Sequence, residues 1–368
     1  MNSNKKFLSF DKMFKFIVVF IFLLAVIFML FSFSTGTDIV QNIKDNNIIV
    51  QISSDISEKS DNESQYKTPP VNDLTGLGIS EEYLSFRPVS VMIDNLEKTN
   101  PSYGLSRADI IYECPVEGMI TRLMAVYKNP YDLPVIGNIR CTRPHFINLA
   151  NGLDSIHIHI GADDSALTML SDKIIDNFDL EYSHDMMWRD QNRMYNLGYE
   201  HSVLTSGQLL EQGVESSNCE KTYNKQIVTN KFSENSQVLN GTASNTINVK
   251  FFHANITSFN YDEAAQAYFV SHQSAQLEDA NSGAKISRKN LLLLYVNATS
   301  SNGSYQVDLS GSGEGFYACN GKSIPIKWSR ESSQTNFKFY DSDDNELELI
   351  PGQMYVCCVP NSGNIEIL

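Results

Sequence analysis

The residues best equipped for chemistry are arginines. "GNIRCTRPHF", residues 137–146, sets Arg140 and Arg143 three apart, with Pro144 directly after the second. Arg122 lies upstream in "EGMITR", and "WRDQNR" carries Arg189 and Arg193 four apart. A guanidinium is a planar fork of donors that matches a carboxylate or phosphate through two bonds at once. Proline is favoured as the first residue of a helix. Arg143 is therefore expected beside free backbone N–H groups and the positive end of a helix dipole, where anions bind. If the second stretch is helical, its spacing puts Arg189 and Arg193 on one face. The same cations can equally be neutralised from within, by Asp94, Asp109, Glu113, Glu117 or Asp190.

Other candidates are weaker. Glu113 and Glu117 flank a turn and form a possible acid/base pair, although glycosidase chemistry requires carboxyls roughly 5–9.5 Å apart. In "HIHIGADD", His157 and His159 share one strand face beside Asp163 and Asp164. An H-x-H pair beside carboxylates is a metal pattern, but alone it signals little, and a satisfied buried histidine is the ordinary reading. "GSGEGF" precedes no helix, so it reads as a hairpin loop. "DSDDNE" lacks the calcium-loop glycine and glutamate, with Gly352 at the twelfth position. The six cysteines form no C-x-x-C. Adjacent Cys357 and Cys358 read as one core and one outward thiol of a strand. No metal and no cofactor is expected.

These residues sit in a chain of 368 residues with net charge −15, 28 Lys+Arg against 43 Asp+Glu, and 42% hydrophobic content. That balance argues against nucleic acid as a partner, since phosphate binding needs basic surface. Residues 16–33, "FIVVFIFLLAVIFMLFSF", carry no charge. As a helix they span roughly 27 Å, near the bilayer core. Lys5, Lys6, Lys12 and Lys15 precede them, so residues 1–15 are expected in the cytoplasm, 16–34 as a transmembrane anchor and the rest outside. No small-x-small cleavage site follows, which favours an uncleaved anchor. Residues 35–85 are a polar tether.

Two folded regions are expected, 86–224 and 225–368. In the first, "RPVSVMIDN", "ADIIYECPV", "TRLMAVYKN" and "DSIHIHIG" read as strands, and "PHFINLANGL", "DDSALTMLSDKI" and "SVLTSGQLLEQGV" as helices. In the second, short strands with Asn/Gly/Asp/Ser turns dominate. The fold class is α+β: a mixed α/β domain, then a β-rich domain of sandwich or barrel type.

"RPVSVMIDN", "LSRADIIYECPVEGMITRLMAVY", "IGNIRCTRPHF", "HIGADDSA", "WRDQNR" and, towards the C-terminus, "GSGEGFYACNGKSIPIKW" and "LIPGQMYVCCVP" resemble the segments of the YerB-like bacterial lipoprotein family, a two-domain family of unknown function. The resemblance covers about residues 86–368 and implies a Gram-positive cell envelope, but no reaction. The matching positions include Asp94, Glu113, Glu117, Arg122, Arg140, Arg143, His159, Arg189, Arg193 and His201. Three departures stand out. A transmembrane helix replaces the lipidated cysteine usual in the family. His157 stands where the family has an apolar residue. "MYNLGYE" before His201 replaces a Pro-His run.

The expected protein is a single-pass envelope protein that binds an anionic envelope ligand or a partner protein. Its candidate site is Arg122, Arg140, Arg143, Arg189 and Arg193, with His159, Glu113 and Glu117. One alternative is an envelope hydrolase using Glu113 or Glu117 with His159 on a glycan or phosphate-containing wall polymer. Another is a regulatory scaffold for envelope proteins.

Overall fold

The computed structural model describes residues 70–223, 230–233, 241–301 and 303–368. The expected anchor (16–34) and most of the tether lie outside the described residues, as does the expected boundary at 224/225. Among the described residues no helix is long and apolar enough to cross a membrane. Strands far outnumber helices.

A mixed sheet forms the centre. From the N-terminal half come β1 (Val89–Ile93), β2 (Ile110–Pro115) and β3 (Thr121–Tyr127). A small three-stranded sheet beside them holds β4 (Ile136–Gly137), β7 (Trp188–Arg189) and β8 (Val203–Thr205). The central sheet also takes β5 (Ile156–His159) and β6 (Asn177–Asp179). A second sheet holds β9 (Thr246–Phe252), β10 (Asn255–Asp262), β11 (Ala267–His272) and, at the far end of the chain, β16 (Asn364–Ile367). The remaining central strands are β12 (Asn290–Ser301), β13 (Gly311–Cys319), β14 (Lys322–Arg330) and β15 (Met354–Pro360). The central order is β14-β13-β12-β15-β2-β3-β1-β5-β6. Strand β15 lies parallel to both neighbours, with Met354 opposite Asn290 of β12 and Ile110 of β2. One sheet therefore runs through both halves of the sequence.

β1, β2, β3 and β15 are buried at every position, which is why they read as near-continuous apolar runs. Alternate residues serve two cores. Val91, Ile111, Ala125, Tyr355 and Cys357 pack with Val249, Phe259 and Val270 of the second sheet. Met92, Tyr112, Met124, Val356 and Cys358 pack with Phe146, Ile147 and Ala150 of a helix on the other face. Cys357 and Cys358 do point to opposite faces, but neither is outward. Both are fully buried because the sheet is covered on each side. All six cysteines are free thiols.

The helices are short. α1 spans Glu81–Leu84 and α2 spans Pro144–Gly152, with Pro144 in the first turn as its sequence requires. α3 spans Asp164–Ser171, capped by the Asp163 side chain accepting from the Ala166 N–H at 2.8 Å. α4 spans Gln191–Asn196, and α5 spans Gly207–Ser216. "SVLTSGQLLEQGV" is thus a strand followed by a helix, because Ser206 caps α5 and leaves Val203–Thr205 to pair with β4 and β7.

At the start of β2, Asp109 accepts from the Lys128 N–H at 2.6 Å and from the Asn72 amide at 2.9 Å. Burial outweighs these bonds and lifts its carboxyl to about 6. A carboxyl raised above its unfolded value favours folding below that value, and the contribution is lost as pH rises through the folded one. Relative to Asp109→Asn, wild type is expected to lose a few degrees of melting temperature between about pH 4 and pH 6. A difference constant over that range refutes it.

Candidate functional site

The segment after β4 brings Arg140 and Arg143 beside Arg122 of β3. Arg122 is almost fully buried. It donates to the Cys141 carbonyl at 2.8 Å and to Glu117 Oε1 at 3.0 Å. Arg143 grips the same carboxylate, with Nη2 2.7 Å from Oε1 and Nε 3.0 Å from Oε2, and its Nε lies 3.4 Å from Asp163. Glu117 thus lies in the fork of two guanidiniums while 40% of its side chain stays exposed. Burial pushes its carboxyl up, but Arg122 and Arg143 prevail and hold it at about 2. It rides a three-residue turn, Glu117–Met119, whose Gly118 has φ +69°. Such a φ suits glycine. The turn rests on the opposite hairpin through Gly118 N–H donating to Gly303 O at 3.2 Å, and it leaves Met119 exposed.

Arg140 lies at the rim. Its Nε is 3.5 Å from Asp94, and its Nη1 donates to the Glu200 carbonyl at 2.6 Å. The second Asp94 contact is His201, whose Nδ1 lies 2.5 Å from Oδ2. His201 Nε2 faces the Glu200 carboxylate at 3.2 Å. Arg189 donates to the next carbonyl, Tyr199 O, at 2.8 Å, and its guanidinium lies 3.6 Å from the Tyr199 ring centroid.

Arg122 and Arg143 therefore meet on Glu117, whereas Arg140 pairs with Asp94 and shares the Tyr199–His201 turn with Arg189. Arg193 joins neither pair. Arg189 ends β7 and Asp190 caps α4 by accepting from the Arg193 N–H at 2.8 Å, so the two arginines share no helix face. Arg193 turns inward to the Thr99 and Pro101 carbonyls. Neither Arg189 nor Arg193 has a carboxylate partner among the described residues. His159 is fully buried between the Gly161 carbonyl and Asn177. His157 stacks beside it at 5.5 Å and bonds Ser90 and Thr142, a satisfied core histidine. Burial, then His159, pushes its pKa well below the usual value.

Glu113 also stays apart. It is fully buried between the two sheets. Its Oε1 accepts from Thr121 at 2.6 Å, Thr257 at 2.9 Å and Asn95 at 3.0 Å, and its Oε2 from Tyr355 at 2.7 Å. This carboxylate is saturated and out of reach of solvent, so it does not pair with Glu117 at an open site. The sequence reading names Asp94 among the possible internal partners of the arginines, and Asp94 does lie against Arg140, but it does not place Asp163, Glu200 or His201 there. Only Asp163 carries a local signal, as a helix cap, and the others arrive through tertiary folding.

Residues 74–220 match the model of the family described as protein of unknown function (DUF3048), N-terminal domain, and residues 247–356 match that of its C-terminal domain. The chain is 28% identical over 298 residues to the Bacillus subtilis (strain 168) protein named "Putative lipoprotein YerB", over 78% of this chain and 86% of the relative. The crystal structure of YerB protein from Bacillus subtilis aligns with a TM-score of 0.72 at 24% identity, over 81% of this chain and 99% of that one, and shows the same fold. With both domain models matched in order and the fold shared from end to end of that structure, the chain belongs to the YerB-like family of proteins of unknown function.

Proposed function

We propose that this is a membrane-anchored, extracytoplasmic envelope protein that binds a carboxylate- or phosphate-bearing envelope ligand at Arg122, Arg140 and Arg143, with Arg189 at the edge. The name of the Bacillus subtilis relative supports the envelope location, and the uncharged run at 16–33 supports an anchor. One observation carries the binding reading. A half-exposed carboxylate, Glu117, sits on a short turn in the grip of two largely buried guanidiniums. The fork is preformed, and Glu117 fills it as an internal stand-in for a ligand anion. Solvent can reach it, and a turn of three residues can move away.

Two substitutions separate binding from structure. Glu117→Gln and Arg143→Ala both break the Arg143–Glu117 pair, so a purely structural role predicts a loss in each. The binding role predicts opposite effects. Removing the competing carboxylate is expected to raise affinity for phosphate or acetylated muropeptides about tenfold, and removing Arg143 to lower it at least as much, each about 1.4 kcal/mol. Calorimetric titration checks both. Equal loss of stability in both variants, with no anion binding in either or in wild type, overturns the reading.

A further inference from the structure

A cavity of about 690 Å³ opens between the first turns of α2 and α3 and the hairpin of β12 with the Ser304–Asp308 strand. Its volume falls within the roughly 300–1,000 Å³ of ligand pockets. Asn148, Thr168, Asn297, Thr299, Gln306 and Asp308 line it. It adjoins a second cavity of about 410 Å³, sharing Asn297 and Asp308, which continues past Ser312 and Glu314 to Trp328 and Tyr295. No lysine or arginine is among the described residues lining either cavity. The arginine site therefore does not extend into them, and the two carboxylates, Asp308 and Glu314, disfavour an anion here.

The lining is instead rich in amides and hydroxyls. The Asn148, Thr299 and Gln306 side chains have no hydrogen-bond partner among the described residues. Asn361 Nδ2 donates to Asn297 Oδ1 at 2.7 Å, which leaves the Asn297 side-chain NH₂ to donate. Asp308 accepts from the Ser310 N–H through Oδ1 at 2.9 Å, which leaves Oδ2 to accept. In the wall of the larger cavity, His145 is 1% exposed and its Nε2 has no partner, an uncommon state for a buried polar atom. Burial, then Arg143, pushes its pKa down to about 3, so it adds no cation. Met169 and Val307 supply apolar surface between these polar groups.

We infer that these adjoining cavities bind a neutral, hydroxyl-rich oligosaccharide. Closely spaced amides, hydroxyls and carboxylates match alternating sugar hydroxyls, which both donate and accept. The apolar side chains suit the C–H faces of the rings or an acetyl methyl. The inference stands on this lining alone and does not depend on anion binding by the arginines.

The test uses the full chain in a detergent without a sugar headgroup, titrated with N-acetylglucosamine oligomers and, separately, cello-oligomers. Saturable binding of either at micromolar to millimolar concentration is expected. Asn297→Ala with Gln306→Ala should weaken it at least tenfold. Both side chains are exposed, so the melting temperature should hold. Arg140→Ala with Arg143→Ala should leave sugar binding unchanged, which separates this site from the anion site. Absence of binding for both sugars at millimolar concentration overturns the inference, and so does binding that the groove variant leaves intact.

Discussion

Glu113→Ala is expected to lower the unfolding free energy of the Pro69–Leu368 unit by about 3–5 kcal/mol, because several buried donors lose the acceptor they share. The carboxylate is the common acceptor for side chains of separate elements: Asn95 after β1, Thr121 of β3, Thr257 of β10 and Tyr355 of β15. His272 of β11 stands 4.0 Å away. Two of these elements belong to the second sheet, so the network ties the sheets together. Deleting the acceptor leaves several donors buried and unsatisfied, each costing about 1–3 kcal/mol before relaxation. Glu113→Gln retains one oxygen and most of the volume, so its loss should be smaller. Urea unfolding monitored by fluorescence measures both. A Glu113→Ala midpoint within error of wild type, or equal losses for the two variants, contradicts this account.

The same residue marks the limit of what local pattern can show. "ADIIYECPV" identifies a buried strand, and its apolar run is the mark of a strand covered on both faces. Nothing in it states that β15 slots between β2 and β12, because that register depends on segments hundreds of residues apart. Once β15 is there, Glu113 faces Tyr355 and Thr257 rather than a cleft, and Cys358 meets the helix-side core rather than solvent. The arginine cluster was more legible. Arg143 precedes Pro144 as the helix-entry pattern requires and stands at the N-cap of α2. The i,i+4 reading of Arg189 and Arg193 failed for a local reason: an aspartate between them is a better helix cap than helix residue.

Asp94→Ala should produce the other large loss, about 3 kcal/mol, and should also disturb the arginine site. Asp94 is 5% exposed and lies between His201 and Arg140. Its removal leaves a nearly buried imidazole facing only Glu200, and an Arg140 Nε that already has no hydrogen-bond partner. Burial pushes the Asp94 carboxyl up, but the His201 bond and Arg140 outweigh it, and its pKa falls below the ordinary 3.8. A lowered carboxyl stabilises the fold above the unfolded value and loses that contribution as pH falls through the folded one. The stability gap between wild type and Asp94→Asn, which keeps the shape, should therefore be full near pH 6 and close below about pH 4. Structural coupling gives a second readout. Arg140 N–H bonds Met92 O, and Ile139 N–H bonds Val203 O, on either side of the contact. With Asp94 gone, the Tyr199–His201 turn loses its anchor, and these amides should exchange faster with solvent deuterium than those of β3. Unchanged exchange alongside a pH-independent gap would mean that Asp94 merely fills space, and that the position of Arg140 is set by the backbone alone.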